Sequence, residues 1–171
     1  MKPNLLVASA SRHHATHEVA AALAAGLVDR GLTAEARPIE TVPAVGGYGA
    51  VVLGSAVYMG RWLPEARRFA QIHTSELCVM PVWLFSSGPI GSVGHPIPAG
   101  EPADVRVILR LTRATGHRTF GGRLEMKHLR FAERSAARAI HAPEGDNRDW
   151  DAIERFAGEI ADQLLATHIA A

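Results

Sequence analysis

Asn4 to Glu18 reads NLLVASASRHHATHE. An apolar run, Leu5-Leu6-Val7-Ala8, breaks into a small, hydroxyl-rich turn, Ser9-Ala10-Ser11-Arg12-His13-His14-Ala15-Thr16. An alanine-rich stretch with helical spacing (Val19, Leu23, Leu27, Val28) follows from Thr16 to about Arg30. A buried strand that delivers its chain through such a turn to a helix N-terminus builds an anion site. Unpaired N–H groups point outward there, and the helix dipole adds about half a positive charge. The expected occupant is a phosphate monoester. Capping of the helix by Ser9, Ser11 or Thr16 is the simpler alternative.

Working outward, apolar β-type runs alternate with helical patterns, which predicts βαβ units and a parallel sheet. The expected strands are Asn4 to Ser9, Thr33 to Ile39, Ala50 to Tyr58, Leu77 to Phe85 and His117 to Leu124. Helices are expected from Thr16 to near Gly31, Pro64 to about His73, Pro102 to about Ala114, and Asp149 to about Thr167. Pro64 suits the first turn of its helix. The stretches Ser86 to Gly91, Ser92 to Glu101 and Pro143 to Arg148 read as loops, and Glu125 to His141 as a basic segment of ragged helical spacing. The pattern predicts one doubly wound α/β domain spanning residues 1–171, with a basic insertion at about 125–148. In such a sheet ligands bind beyond the carboxyl ends of the strands, at the switch point.

Composition narrows the function. With 171 residues, nearly half of them apolar, the chain can bury a substantial core. The balance of 18 basic and 17 acidic residues makes no electrostatic case for nucleic acid. No apolar run approaches the roughly 20 residues of a membrane span. The N-terminal apolar stretch also falls short of the roughly 7–15 residues of a signal peptide core. A single cysteine, Cys78, rules out an internal disulfide and suits a reducing, cytoplasmic setting.

Three phosphate-binding patterns can be compared with the turn. A Walker P-loop needs GxxxxGK[ST], and a dinucleotide fingerprint needs GxGxxG; the turn has neither its glycines nor the lysine. A phosphoacceptor receiver needs a carboxylate at the end of its central strand, and Ala50 to Tyr58 contains none.

The remaining pattern resembles the flavodoxin-like FMN-binding family, with a five-stranded sheet in the order 2-1-3-4-5. VASASRHHATHEVA is similar to the first strand and phosphate turn of that family. YGAVVLGSAVYMGRWLPEARRF is similar to its third strand, flavin-contacting loop and following helix. VWLFSSGPIG is similar to the fourth strand and the second flavin loop. HRTFGGRL, with Arg148-Asp149-Trp150-Asp151, resembles the branch containing menaquinone-dependent protoporphyrinogen oxidase.

The resemblance implies an FMN site and an oxidoreductase. Ser11 and Thr16, with Ser9 and the backbone of Arg12, His13, His14 and Ala15, would hold the phosphate. Ser55, Ala56, Val57, Tyr58, Met59 and Gly60 would line one side of the isoalloxazine, with Tyr58 or Trp62 stacking on it. Ser86, Ser87, Gly88, Pro89, Ile90 and Gly91 would line the other. His14 stands where related turns usually carry glycine. It either crowds the phosphate and resists a positive φ, or donates a hydrogen bond to it.

Simpler readings stand beside these. His13, His14 and His17 lack the further ligands and the HExxH pattern of a zinc site, so no metal is expected. Ser86-Ser87-Gly88 lacks the GxSxG elbow of a hydrolase. The basic segment Met126 to His141 is either a solvated surface helix or a peripheral contact for a membrane that holds a quinone. Near-neutral charge favours an enzyme over a diffusible electron carrier, and the resemblance implies quinone or protoporphyrinogen substrates and a place in heme biosynthesis. The competing class is a module that has lost FMN and binds a protein partner; a homodimer is a base-rate expectation.

Overall fold

The computed structural model describes residues 4–88, 101–139 and 144–169. Five parallel strands, β1 (Asn4–Ala10), β2 (Thr33–Pro38), β3 (Ala50–Tyr58), β5 (Val82–Gly88) and β6 (Gly116–Gly121), lie in the order β2-β1-β3-β5-β6. Counted over the parallel strands this is the expected 2-1-3-4-5. A two-residue strand, β4 (Arg61–Trp62), folds back antiparallel on the end of β3. A separate ribbon pairs β7 (Arg123–Leu124) with β8 (Gly145–Asp146). The helices are α1 (Ala15–Asp29), α2 (Pro64–Ile72), α3 (Thr74–Leu77), α4 (Val105–Thr112), α5 (Phe131–Ala139) and α6 (Trp150–Ile169).

Both faces of the sheet are buried, which is why its strands read as continuous apolar runs. Leu5 and Val7 on β1 face one way and pack with Leu23 and Leu27 of α1 and Phe156 and Ile160 of α6. Leu6 and Ala8 face the other way and pack with Phe69 of α2 and Ile108 of α4. Alanine gives α1 its helix propensity. The helix ends in a Schellman motif: Gly31 takes φ 79, its N–H donates to Val28, and the Leu32 N–H donates to Leu27.

Several boundaries differ from expectation for identifiable reasons. The expected strand at Leu77 starts at Val82, because Leu77 and Cys78 close a helical turn onto the carbonyls of His73 and Thr74. Val79 in that apolar run is 79% exposed, so apolarity there does not mean burial. The expected strand to Leu124 stops at Gly121, where a Cβ would come within 1.9 Å of the Asn147 carbonyl oxygen. The crossing backbone ends the strand and starts the ribbon. Gly145 and Asp146, expected in a loop, form its second strand. The basic segment is a short 3-10 turn, Met126–His128, followed by α5. The loop expected from Ser92 lies outside the described residues except for Glu101.

Candidate functional site

The turn after β1 carries the anion geometry. β1 ends at Ala10, and His14 takes φ 62 and ψ −15 as the N-cap of α1. The positive φ required of a glycine is thus adopted by a histidine whose side chain is exposed. Ser11 Oγ accepts the Thr16 N–H at 3.3 Å, closing the turn from five residues upstream. The Ala15 N–H donates to the His13 carbonyl at 2.8 Å. Among the described residues, the N–H groups of Arg12, His13 and His14 donate to no backbone carbonyl. These three donors at a helix N-terminus, beside the Arg12 guanidinium, suit a phosphate monoester.

Other residues expected at the phosphate are engaged elsewhere. Ser9 is buried, and its hydroxyl lies 2.8 Å from Nδ1 of His17. Burial lowers the pKa of His17, a shift opposed by Glu40. Ala15 and Thr16 are buried in the first turn of α1.

The expected flavin loop from Ser55 to Gly60 is mostly strand. Ser55, Ala56, Val57 and Tyr58 complete β3, because the ladder with β5 continues through Ser55 opposite Ser86 and Ala56 opposite Ser87. Ser55 is fully buried; its hydroxyl donates to the Ala56 carbonyl and accepts the Leu63 N–H. The turn itself is Met59-Gly60, with φ 50 and 73, a two-residue hairpin of the kind that matches strand twist. Met59 at its tip is 91% exposed. Trp62 is buried and donates its indole N–H to Ser86 Oγ at 2.7 Å, so it cannot stack on a ligand. Tyr58 is the aromatic left for that role, and the Arg12 guanidinium lies 4.9 Å from its ring centroid. Burial and the nearby Glu133 raise the Tyr58 pKa.

The second expected loop is likewise strand at its start. Ser86, Ser87 and Gly88 finish β5, paired with Thr119, Phe120 and Gly121 of β6. Ser86 is fully buried, 2.8 Å from His117 Nε2, and His117 Nδ1 lies 3.4 Å from Glu101. Gly88 is required sterically: a Cβ there would come within 2.9 Å of the Val57 Cβ. Pro89, Ile90 and Gly91 lie outside the described residues.

Two features of the site have no counterpart in the sequence reading. The first is a cleft of about 560 Å³ running from Ser11 and Arg12 between Ile39–Pro43 and the Leu63–His73 face of α2. Its walls come from the 3-10 turn and loop after β2 and from an ordinary helix, so no motif announces it. The second is the segment after β6, which closes over the turn. Arg148, its side chain only 3% exposed, donates to Glu18 and to Asp146 at 2.6 Å each and lies over the Trp150 ring. Arg123 also reaches Glu18. From α5, Glu133 accepts from Arg12 at 3.1 Å. The space left between His13, Tyr58 and this segment is about 40 Å³. Among the described residues, no group of three or more His, Cys, Asp or Glu side chains is placed to hold a metal, and no helix is long and apolar enough to cross a membrane.

A doubly wound α/β domain whose first strand leads, through a turn with N–H groups lacking backbone acceptors, into α1 defines the class. Residues 6–151 match the flavodoxin domain family, and the chain belongs to that family. No curated protein matches the sequence. The fold is similar to the rubredoxin oxygen:oxidoreductase of Desulfovibrio gigas (TM-score 0.66, 17% identity), covering 99% of this chain but 38% of that one. It is also similar to a flavodoxin from the domain Archaea (TM-score 0.64, 12% identity, 94% and 98% covered). A third similar structure is oxidised flavodoxin 2 from Bacillus cereus (TM-score 0.63, 19% identity, 94% and 99% covered).

Proposed function

We propose that this chain binds FMN noncovalently, with the phosphate at the turn Ser11 to His14, and acts as an FMN-dependent oxidoreductase. The observation that carries the reading is the turn itself. Three successive backbone N–H groups without backbone acceptors precede the first turn of α1, and His14 takes the left-handed conformation there. Ser11 keeps the turn closed through the Thr16 N–H, so the hydroxyl acts as a brace. Membership of the flavodoxin domain family supports the cofactor assignment.

When bound, FMN supplies the electron-transfer chemistry. The chain's part is to bind, orient and shield. Arg12 to His14 offer donors to the phosphate, while Tyr58 and the exposed Met59 offer surface to a planar ring. Gly88 lets β5 approach Val57 closely at the same end of the sheet.

The substrate class is a quinone or a protoporphyrinogen-type porphyrin. It rests on the resemblance of HRTFGGRL and Arg148-Asp149-Trp150-Asp151 to the protoporphyrinogen oxidase branch. Phe131, 86% exposed at the start of α5 with Lys127, Arg130 and Arg138 exposed nearby, supports a peripheral contact with an anionic membrane on the cytoplasmic side. A second reading is a module without FMN. The contact of Glu133 with Arg12 and the small space beside Tyr58 favour it.

The visible absorption spectrum separates the readings. The purified protein is measured as isolated and again after FMN is added and the excess removed. A retained flavin band that bleaches with dithionite is expected; a protein that takes up no FMN overturns the cofactor reading. Turnover of a quinone or of protoporphyrinogen without any protein partner then distinguishes an enzyme from an electron carrier.

A further inference from the structure

Glu133 has two tasks. It is the third residue of α5, and its Oε2 accepts the Arg130 N–H at 3.0 Å, one half of a capping box. Its Oε1 accepts from Arg12 at 3.1 Å, and His13 Nε2 stands 3.9 Å from the carboxylate. That ring nitrogen is buried and makes no hydrogen bond among the described residues. The Arg130 N–H, then Arg12 and His13, hold the Glu133 carboxyl below the usual carboxylate range, so it is ionised at neutral pH. A carboxylate from outside the sheet therefore sits on the basic side chains of the phosphate turn.

The same contact closes the site. Arg12 spans Glu133 and the Tyr58 ring. The space between His13, Tyr58 and Leu124–Leu129 is about 40 Å³, far below the roughly 300–1,000 Å³ of a typical small-molecule pocket. The closing segment has a small apolar cluster of its own, Leu129 and Ala137 with Leu124 and Met126. Its ribbon is tied independently to α1 through Arg148 and Glu18. Breaking the Glu133 contact thus frees the inner end of α5 without undoing the ribbon.

We propose that Glu133 is the resident counter-anion of the phosphate turn. An incoming phosphate monoester takes its place on Arg12 and His13 and releases α5 from the turn. The identity of the ligand as FMN rests on the function proposed above; the exchange itself does not. A phosphate monoester carries about −1.5 to −2 charges and three strong acceptor oxygens, against one charge on Glu133. It can also engage the N–H groups of Arg12 to His14, whereas the hydrogen bonds of the Glu133 carboxylate go to the Arg12 guanidinium and the Arg130 N–H.

Glu133→Gln is the informative variant, because glutamine also serves as a capping-box acceptor while the charge is removed. FMN binding is followed by fluorescence quenching and inorganic phosphate binding by calorimetry, in wild type and variant. Amide exchange of residues 126–139 is measured in wild type with and without saturating ligand. The variant is expected to bind both ligands about fivefold more tightly, the scale of a partly exposed ion pair. Ligand should speed exchange in α5 of the wild type. Equal FMN affinity in the two proteins, or exchange in α5 unchanged at saturation, overturns the proposal and leaves the FMN reading intact. Uptake of FMN by neither protein, with phosphate held more tightly by the variant, overturns the FMN reading and supports the exchange. Binding of neither ligand by either protein overturns both.

Discussion

His117 Nε2 stands 2.8 Å from Ser86 Oγ, joining β5 and β6 diagonally through their side chains, since His117 lies in register with Leu84. The direction of each hydrogen bond follows from the neighbours. Trp62 Nε1 can only donate, and it donates to Ser86 Oγ at 2.7 Å. The hydroxyl proton then goes to His117 Nε2, which leaves the imidazole proton on Nδ1, facing Glu101 at 3.4 Å. Ser86 resembles a nucleophile in this chain of bonds, but its complete burial makes it a structural link.

Ser86→Ala should therefore destabilise the fold. It strands the indole N–H and the imidazole nitrogen in the interior, each at a cost of about 1–3 kcal/mol. Urea unfolding of wild type and variant measures the difference. A loss smaller than about 0.5 kcal/mol, the range of ordinary surface substitutions, would show that water replaces the hydroxyl.

Acid should act through the same link. Burial lowers the pKa of His117 below its unfolded value of 6.5, and Glu101 opposes that shift without cancelling it. Because the folded value is depressed, the stabilisation is complete above pH 6.5 and is lost as pH falls towards the folded value. His17 shifts the same way, so wild type alone cannot isolate the effect. His117→Gln supplies the comparison: between pH 7.5 and 5.5 its unfolding midpoint should fall less than that of wild type. Parallel falls in the two proteins would remove His117 from the pH dependence.

Much of the fold is legible in the sequence, because β1, β3 and the apolar face of α1 are locally consistent over many residues. The positive φ at His14 follows from the resemblance, which places glycine at that position in related turns, and the structure has it. What is not legible depends on distant partners. Ser55, Ser86 and Trp62 look like ligand groups until the ladder from β3 to β5 brings the serines opposite one another and β4 brings the indole over Ser86. Hydroxyls and indoles serve a ligand or a neighbour equally well, and sequence does not tell which. Glu133 is one acid in a basic stretch, and its contact with Arg12 spans 121 residues. Leu77 to Met80 fails for a different reason: an apolar run reports burial, not conformation, and Val79 is not even buried.

A packing relation at the centre of the sheet can be tested directly. Gly54 on β3 pairs with Phe85 on β5, and a Cβ at Gly54 would come within 2.0 Å of the Phe85 ring. The missing side chain is the space the fully buried ring occupies. Gly54→Ala should cost about 1–3 kcal/mol through overpacking. Combining it with Phe85→Leu should recover part of that loss, since the smaller side chain vacates the clash. Strictly additive losses in the two single variants and the double variant would argue that the backbone, not the ring, absorbs the methyl group.

His14 poses the sharpest question at the phosphate turn, because its backbone and side chain make separate predictions. A non-glycine residue in the left-handed region costs roughly 1–3 kcal/mol, and His14 holds φ 62 without a side-chain capping bond. Glycine would relieve that strain, but it loses more freedom on folding, at roughly 0.5–1 kcal/mol. His14→Gly is therefore expected to raise stability by roughly 0–2.5 kcal/mol. Its effect on FMN should be small, because the imidazole is exposed and the turn already has the conformation a glycine would allow. Affinity for FMN within about twofold of wild type fits this reading. Tightening beyond tenfold, about 1.4 kcal/mol, would mean that the imidazole crowds the phosphate. Weakening by a similar factor would mean that it donates a hydrogen bond to it.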